Sequence, residues 1–412
     1  MLYNTHELGR FALQPARLMA EAGQYVFSSP FNPWSQTWAG KAISAACAVF
    51  EETTRRFDKP AFGLPTTTIE GREIPVREEI VGRRPFCQLR HFVRDGAPDG
   101  QPRLLLVAPL SGHYATLLRG TVESLLPDHD IYITDWRDAR DVPVSEGTFD
   151  LDDYIDYVMA YLHLLGPNTH VMAVCQPAVP VFAAIALMSQ DNDPCVPPSM
   201  TLMGGPIDTR KSPTTPNKLA KERPYEWFEK NLITHVPANA PGFLRRVYPG
   251  FLQLTGFLAM NWDRHVESHV NYYNQLVDGD GDSDSAQKHR EFYEEYMAVM
   301  DLPAEYYLQT IRVVFQQHLL PRGMMVHRDR LVKPEAIRKT ALLTVEGERD
   351  DISGPGQTQA THSLCINLPE SMREDYVQPG VGHYGVFNGR RWHTEIAPRV
   401  KDFIRKFDHS AA

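Results

Sequence analysis

Apolar runs separated by helix-like stretches dominate the chain from Phe86 onward. FCQLRHFV (86–93) alternates apolar with polar residues, the period of a half-buried strand. RLLLVAP (103–109), DIYITDW (130–136), HVMAVC (170–175) and SMTLMGG (199–205) are short and mostly apolar, as strands buried on both faces are. Between them, FDLDDYIDYVMAYLHLLG (149–166) opens with acidic residues and closes on Gly166, the polarity of a helix. Strands alternating with helices predict a mostly parallel sheet with helices on both faces.

The alternation stops after Pro206. Residues from about 208 to 318 read as a long, mostly helical insertion rich in bulky side chains, among them Trp227, Phe228, Phe243, Tyr248, Phe251, Trp262, Tyr272 and Tyr306. ALLTVEGERDD (341–351) restores the strand pattern, and EDYVQPGVGHYG (374–385) supplies a last short strand and loop. The expected organisation is an N-terminal helical extension (1–75), a first core segment (76–207), a helical cap (208–318) and a second core segment (319–412).

Composition narrows the function classes. With 412 residues, 42% hydrophobic and 23% charged, the chain has the makeup of a globular protein, and its formal charge of -9 argues against a polyanionic partner such as nucleic acid. The five cysteines are odd in number and lack CxxC spacing, so neither a disulfide framework nor a zinc site is expected, and no other metal is implied. Reduced thiols fit a cytoplasmic location. No apolar segment is long enough to predict a signal peptide or a membrane span. The acidic stretch DGDGDSDS (278–285) has Ser283 where a calcium loop needs glycine and His289 where it needs glutamate, so it is expected to be a solvated loop.

The candidate chemistry centres on Ala173-Val174-Cys175-Gln176-Pro177, where a buried strand gives way to a helix. This is the slot that the nucleophile occupies in an α/β-hydrolase, a tight elbow that demands small neighbours. Ala173 meets that demand before the turn, and Pro177 suits the first helical turn, where its φ is already helical and an N–H would go unbonded. A helix N-terminus favours a thiolate on Cys175, and the Gln176 N–H can face a developing oxyanion. A cysteine in an apolar strand is ordinarily a small buried hydrophobe, so the partners carry the weight.

In this fold the acid and the histidine follow the nucleophile in that order. The segment Leu342 to Asp350 reads as a strand ending in G-x-x-D, which puts Asp350 on the loop at its carboxyl end, and His383 lies in a glycine-rich loop about thirty residues later. Asp351 is the rival acid; His113, His362 and His393 are weaker candidates for the base. A second oxyanion donor is expected from the loop after RLLLVAP, at the backbone N–H of Leu110 or Ser111. Ser111 could be mistaken for a nucleophile but lacks the strand–elbow–helix setting.

AVCQPA around Cys175, GERDDI around Asp350, GVGHYG around His383, and the segments APLSGHYATLLRGT and YITDWRDAR resemble the bacterial intracellular polyhydroxybutyrate depolymerases over nearly the whole chain. The resemblance implies an α/β-hydrolase fold with a Cys175, Asp350, His383 triad that cleaves amorphous poly(3-hydroxybutyrate) granules in the cytoplasm. It implies no resident cofactor, although coenzyme A could serve as acyl acceptor in place of water. Homodimerisation is compatible with it. Polyhydroxyalkanoate synthases share the cysteine triad but carry G-x-C-x-G at the elbow, where this chain has Ala173 and Pro177. A synthase-like acyltransferase, a noncatalytic granule-binding protein and a small-ester hydrolase are the competing functions. Cap aromatics such as Trp262 are candidates for substrate contact, while most are expected to form the cap's own core.

Overall fold

Nine strands join in one sheet inside the larger of two compact units. The computed structural model describes residues 2–278 and 284–409, so most of the acidic stretch at 278–285 lies outside the described residues. The larger unit comprises Ala61–Tyr248 and Asp301–Ala412; the smaller comprises Met1–Pro60 and Pro249–Met300.

The strands of the sheet are β1 (Thr66–Ile69), β2 (Arg72–Arg84), β3 (Cys87–Arg94), β4 (Arg103–Val107), β5 (Asp130–Trp136), β6 (Thr169–Val174), β7 (Ser199–Met203), β8 (Ala341–Gly347) and β9 (Arg373–Gln378). Their spatial order is β1-β2-β3-β5-β4-β6-β7-β8-β9. β1 to β3 pair antiparallel with one another, and β3 pairs antiparallel with β5. From β5 to β9 every pairing is parallel.

The parallel strands carry the expected signature of burial on both faces. Every residue of β6, β7 and β8 is buried, as are Leu104 to Val107 of β4. Helix α3 (Leu151–Leu165) begins in a reciprocal cap, in which Asp150 Oδ1 accepts from Asp153 N at 2.9 Å and Asp153 Oδ2 accepts from Asp150 N at 2.9 Å. It ends at Gly166, whose φ of 84° is open to glycine. Helix α4 (Ala178–Gln190) is apolar all round, and it is buried from Ala178 to Met188.

Register brings the chemistry-bearing loops to one edge. Val107 pairs with Ala173, Val174 with Met203, Met203 with Val345, and Gly347 with Gln378. The chain therefore leaves β4, β6, β7, β8 and β9 on the same side, the carboxyl edge where open α/β sheets bind ligands.

Two expected boundaries are corrected. The N-terminal extension does not run helical to residue 75: its helices α1 (Leu2–Ser28) and α2 (Trp38–Thr54) stop earlier, and Thr66–Arg84 forms a hairpin that joins the sheet. Both turn residues, Glu70 and Gly71, have positive φ, the geometry of a two-residue hairpin turn. The strands escaped detection because their exposed, polar positions break the apolar alternation.

The insertion at 208–318 is not one body. Residues up to Tyr248 and from Asp301 group with the sheet. Buried Arg245 explains part of this, since its guanidinium donates to the carbonyls of Val142, Gly147 and Pro143 at 2.8, 2.7 and 2.5 Å. Ala220, Phe228 and Leu308 form a second apolar anchor across the same segments.

Only the middle of the insertion, helices Gly250–Met260, Trp262–Asp278 and Asp284–Met297, groups with α1 and α2. Its rings pack within that unit: Tyr272 stacks on His289 with centroids 4.3 Å apart, and Phe251 on His6 at 4.0 Å. Among the described residues no helix is long and apolar enough to cross a membrane.

Candidate active site

Cys175 occupies a left-handed backbone position, φ 68°, between the end of β6 and the start of α4. A non-glycine residue there carries strain of about 1–3 kcal/mol, which the surroundings must hold in place. They do so through two hydrogen bonds: the Cys175 N–H donates to Met203 O at 2.7 Å, and the Ala178 N–H donates to Cys175 O at 3.1 Å. Pro177, with φ -57° and ψ -16°, turns the chain into α4. The packing is as tight as an elbow requires. A Cβ on Gly205 would stand 2.2 Å from Ala178 Cβ and 3.0 Å from Cys175 O.

His383 lies in the loop after β9, buried, and its Nδ1–H donates to Asp350 Oδ2 at 2.7 Å. The other carboxylate oxygen of Asp350 accepts from Ile352 N at 2.9 Å and Ser353 N at 2.8 Å. These donors fix the carboxylate's orientation toward the imidazole. Burial opposes a charged imidazole, yet the nearby Asp350 and Cys175 overcome it and hold His383 well above the usual histidine range.

Leu110 and Ser111 follow β4, and Gln176 follows the adjacent β6, so the three expected oxyanion donors leave neighbouring strands at one edge. Among the described residues, their backbone N–H groups donate to no protein acceptor.

The rivals are differently placed or partnered. Asp351 is exposed, whereas Asp350 is buried. His362 Nε2 bonds to Thr344 Oγ1 at 2.8 Å, and His393 Nδ1 bonds to Ser124 Oγ at 2.6 Å. His113 is buried in the loop after β4. Trp262, 61% exposed, belongs to the smaller unit, not to the unit that carries Cys175. Away from this edge, His163, Asp193 and Cys195 gather three ligand-type atoms within 4.8 Å of one another. They precede the amino ends of β6 and β7, so they stand at the opposite edge of the sheet from Cys175.

Several residues with a clear place in the site were not singled out in the sequence. A Cβ on Gly204, φ 55°, would lie 3.2 Å from His383 Cε1 and 3.4 Å from Asp350 Oδ2, so a side chain there would press on the imidazole in a backbone conformation that favours glycine. Thr358 ties the next residue down, accepting from Gly205 N at 2.7 Å and donating to Gly205 O at 3.0 Å. Buried Glu346 holds the loop after Asp350, accepting from Gly356 N, Thr358 N and Gln359 N at 2.7, 2.6 and 3.0 Å. Burial raises its carboxyl above the ordinary value despite these donors. Tyr306 is buried against Tyr154, and both phenols are held well above the usual range by burial first and then by charges that include Cys175. The Gly-Gly pair closing SMTLMGG was the one available signal, since a glycine pair at a strand end marks a close backbone approach.

The sheet order, the strand–elbow–helix at Cys175 and the acid–histidine pair define an α/β-hydrolase, and the chain is a carboxylic ester hydrolase. It belongs to the PHB depolymerase family: residues 204–408 match the family model described as PHB de-polymerase C-terminus. That match contains Asp350 and His383; Cys175 lies ahead of it.

Among solved structures, the chain is similar to a monoacylglycerol lipase of Paleococcus ferrophilus, with 12% identity over 74% of this chain and 94% of that one and a TM-score of 0.43. A thermophilic esterase of Thermogutta terrifontis is similar at 13% identity over 84% of this chain and 97% of that one, with a TM-score of 0.39. No curated protein matches the chain significantly.

Proposed function

We propose that the chain depolymerises amorphous poly(3-hydroxybutyrate) granules in the cytoplasm, with Cys175 as nucleophile, His383 as general base and acid, and Asp350 as the group that orients and charges the imidazole. The observation that carries this reading is the 2.7 Å Asp350–His383 hydrogen bond at the sheet edge where Cys175 occupies its strained elbow. The family match supports the polymer substrate.

The Cys175 sulfur, having given its proton to His383, attacks an ester carbonyl of the polymer. The C=O electrons move onto oxygen, which takes hydrogen bonds from the N–H of Gln176 and of Leu110 or Ser111. When the tetrahedral adduct collapses, the C–O bond breaks and His383 protonates the departing alkoxide. An acyl-thioester remains on Cys175. Water, or the thiol of coenzyme A, then attacks this thioester as His383 removes its proton, and Cys175 leaves as the thiolate.

The test is incubation of the protein and its Cys175→Ser variant with amorphous granules, with and without coenzyme A, followed by mass spectrometry. Release of 3-hydroxybutyrate, its oligomers or their coenzyme A thioesters that collapses in the variant supports the proposal and identifies the acceptor. Chain elongation from a 3-hydroxybutyryl thioester would make the protein a synthase, and granule binding without release would make it a binding protein. Turnover of soluble esters without polymer cleavage would make it a small-ester hydrolase.

A further inference from the structure

Between Glu21 and Lys41 the chain runs for nineteen residues, AGQYVFSSPFNPWSQTWAG (22–40), without a charged side chain. Charged residues make up 23% of the whole protein, so about four would be expected in a stretch of that length. The stretch instead carries Tyr25, Phe27, Phe31, Trp34 and Trp38. It forms the end of α1, the connecting turn and the start of α2.

Four of these rings are turned into solvent, and Phe27 is half-buried. Tyr25 is 79% exposed, Phe31 95%, Trp34 62% and Trp38 75%, while Phe62, Phe92, Phe149 and Trp136 in the larger unit are fully buried. Scattered apolar residues are common on protein surfaces, but a run of large aromatic rings on one connection is not.

The turn is built to hold that arrangement. Asn32 Nδ2 donates to Val26 O at 3.0 Å, and Asn32 Oδ1 accepts from Trp34 N at 3.0 Å. Ser35 and Thr37 donate through their hydroxyls to Asn32 O and Trp34 O at 2.7 and 2.6 Å. Thr37 Oγ1 then caps α2 by accepting from Gly40 N at 3.1 Å. A Cβ on Gly40 would stand 1.9 Å from Trp34 O, so glycine is required for the turn to close. The polar groups of Asn32, Ser35 and Thr37 are thus satisfied within the turn, and the surface left outside is uncharged, with four large aromatic rings among exposed Gln, Ser, Thr and Pro residues.

We propose that this aromatic turn is a docking surface for an uncharged polyester particle. The inference rests on the proposed function, which makes such a particle the substrate. An uncharged patch on a protein of net charge -9 complements a neutral polymer surface and lacks the lysines and arginines that draw proteins to anionic lipid. Tyrosine and tryptophan suit a boundary between apolar solid and water because the ring is apolar and one edge can stay hydrated. The turn acts by holding the enzyme on the particle, separately from bond cleavage.

The experiment measures sedimentation with protein-free amorphous poly(3-hydroxybutyrate) particles, using the full chain with Cys175→Ser so that no polymer is lost. The triple substitution Phe31→Ser, Trp34→Ser, Trp38→Ser is compared with Leu164→Ser, a control that removes an exposed apolar residue, 56% accessible, in the larger unit. The expected result is a loss of partition of at least ~10-fold in the triple variant and none in the control. In the active background, the same triple variant should hydrolyse a soluble butyrate ester within about twofold of the unsubstituted rate, a readout that also reports correct folding.

Unchanged partition overturns the proposal. So does a fall in soluble-ester turnover equal to the fall in partition, and so does binding to neutral phosphatidylcholine vesicles but not to polyester. Light scattering that finds a dimer which the triple variant converts to monomer overturns it in favour of a second copy of the chain. The two readings separate cleanly. Ring-dependent binding with no product release by the active protein sinks the proposed function alone, and product release with ring-independent binding sinks the docking surface alone.

Discussion

Gly204 lies against His383, with a Cβ at that position falling 3.2 Å from the imidazole Cε1. Replacement by alanine meets two obstacles, the contact itself and a φ of 55°. Gly204→Ala is expected to displace the imidazole by a few tenths of an ångström or more and to cost roughly 10²-fold in kcat/KM on a soluble ester. Stability should fall by only about 1 kcal/mol, the ordinary cost of alanine in the left-handed region. Steady-state kinetics beside a thermal melt tests the pairing: an unfolded protein, or an unaltered rate, contradicts it.

Asp350 and Asp351 are neighbours in sequence with opposite surroundings. In Asp350→Asn the side chain no longer supplies the negative charge that favours imidazolium, and it can present an N–H where an acceptor is needed. The expected loss in kcat/KM is about 10²–10⁴-fold, the range in which an orienting acid acts in related triads. Asp351→Asn should stay within about twofold. Equal losses in the two variants would remove Asp350 from its role.

The acidity of His383 gives a pH dependence with a definite sign. Burial alone would lower it, but Asp350 and Cys175 raise it above the ordinary value near 6.5. A histidine raised in the folded state adds stability that is fully present below its unfolded pKa, then fades as pH rises through the folded one. The stability difference between the protein and His383→Gln should therefore be largest below about pH 6.5 and shrink above the folded pKa. NMR titration should find the imidazole charged past 6.5 and find its midpoint lowered in both Asp350→Asn and Cys175→Ala. A midpoint at or below the free value would refute the assignment.

Thr358→Val preserves shape while removing both hydrogen bonds to Gly205. The buried N–H of Gly205 is then left without a partner, at an expected cost of about 1–3 kcal/mol, while its C=O still accepts from Ile207 N at 2.9 Å. Because Gly205 also packs under Ala178 and Cys175 O, the elbow should loosen and activity should fall as well. Urea denaturation with a soluble-ester assay measures both. A variant as stable as its parent would show that the hydroxyl is dispensable.

Much of this protein was legible in one dimension. The buried strands β4 to β8 announce themselves as short apolar runs, because a strand covered on both faces has no polar side to display. Helix α3 is equally plain, with acidic residues at its start and glycine at its end. The hairpin of β1 and β2 was not, since their solvent-exposed positions carry polar residues that mimic a loop. Nor was the division of the helical insertion, where Arg245 and Phe228 look like any other bulky residues until their partners at 142–147 and 308 come into contact with them.

The sequence by itself determined the order of the strands from β3 to β9, the small-residue elbow around Cys175, and the presence of an acid and a histidine after the last two strands. These depend on local patterns: periodicity, helix ends, and the sharp turns that glycine and small residues permit. Only the tertiary structure decided between Asp350 and Asp351, because the choice depends on which carboxylate meets His383 and the amides of Ile352 and Ser353. It also decided the roles of Gly204, Thr358 and Glu346, whose neighbours come from different strands. Their chemistry lies in close approach between distant segments, and a linear pattern records a residue's type without recording what stands 3 Å away.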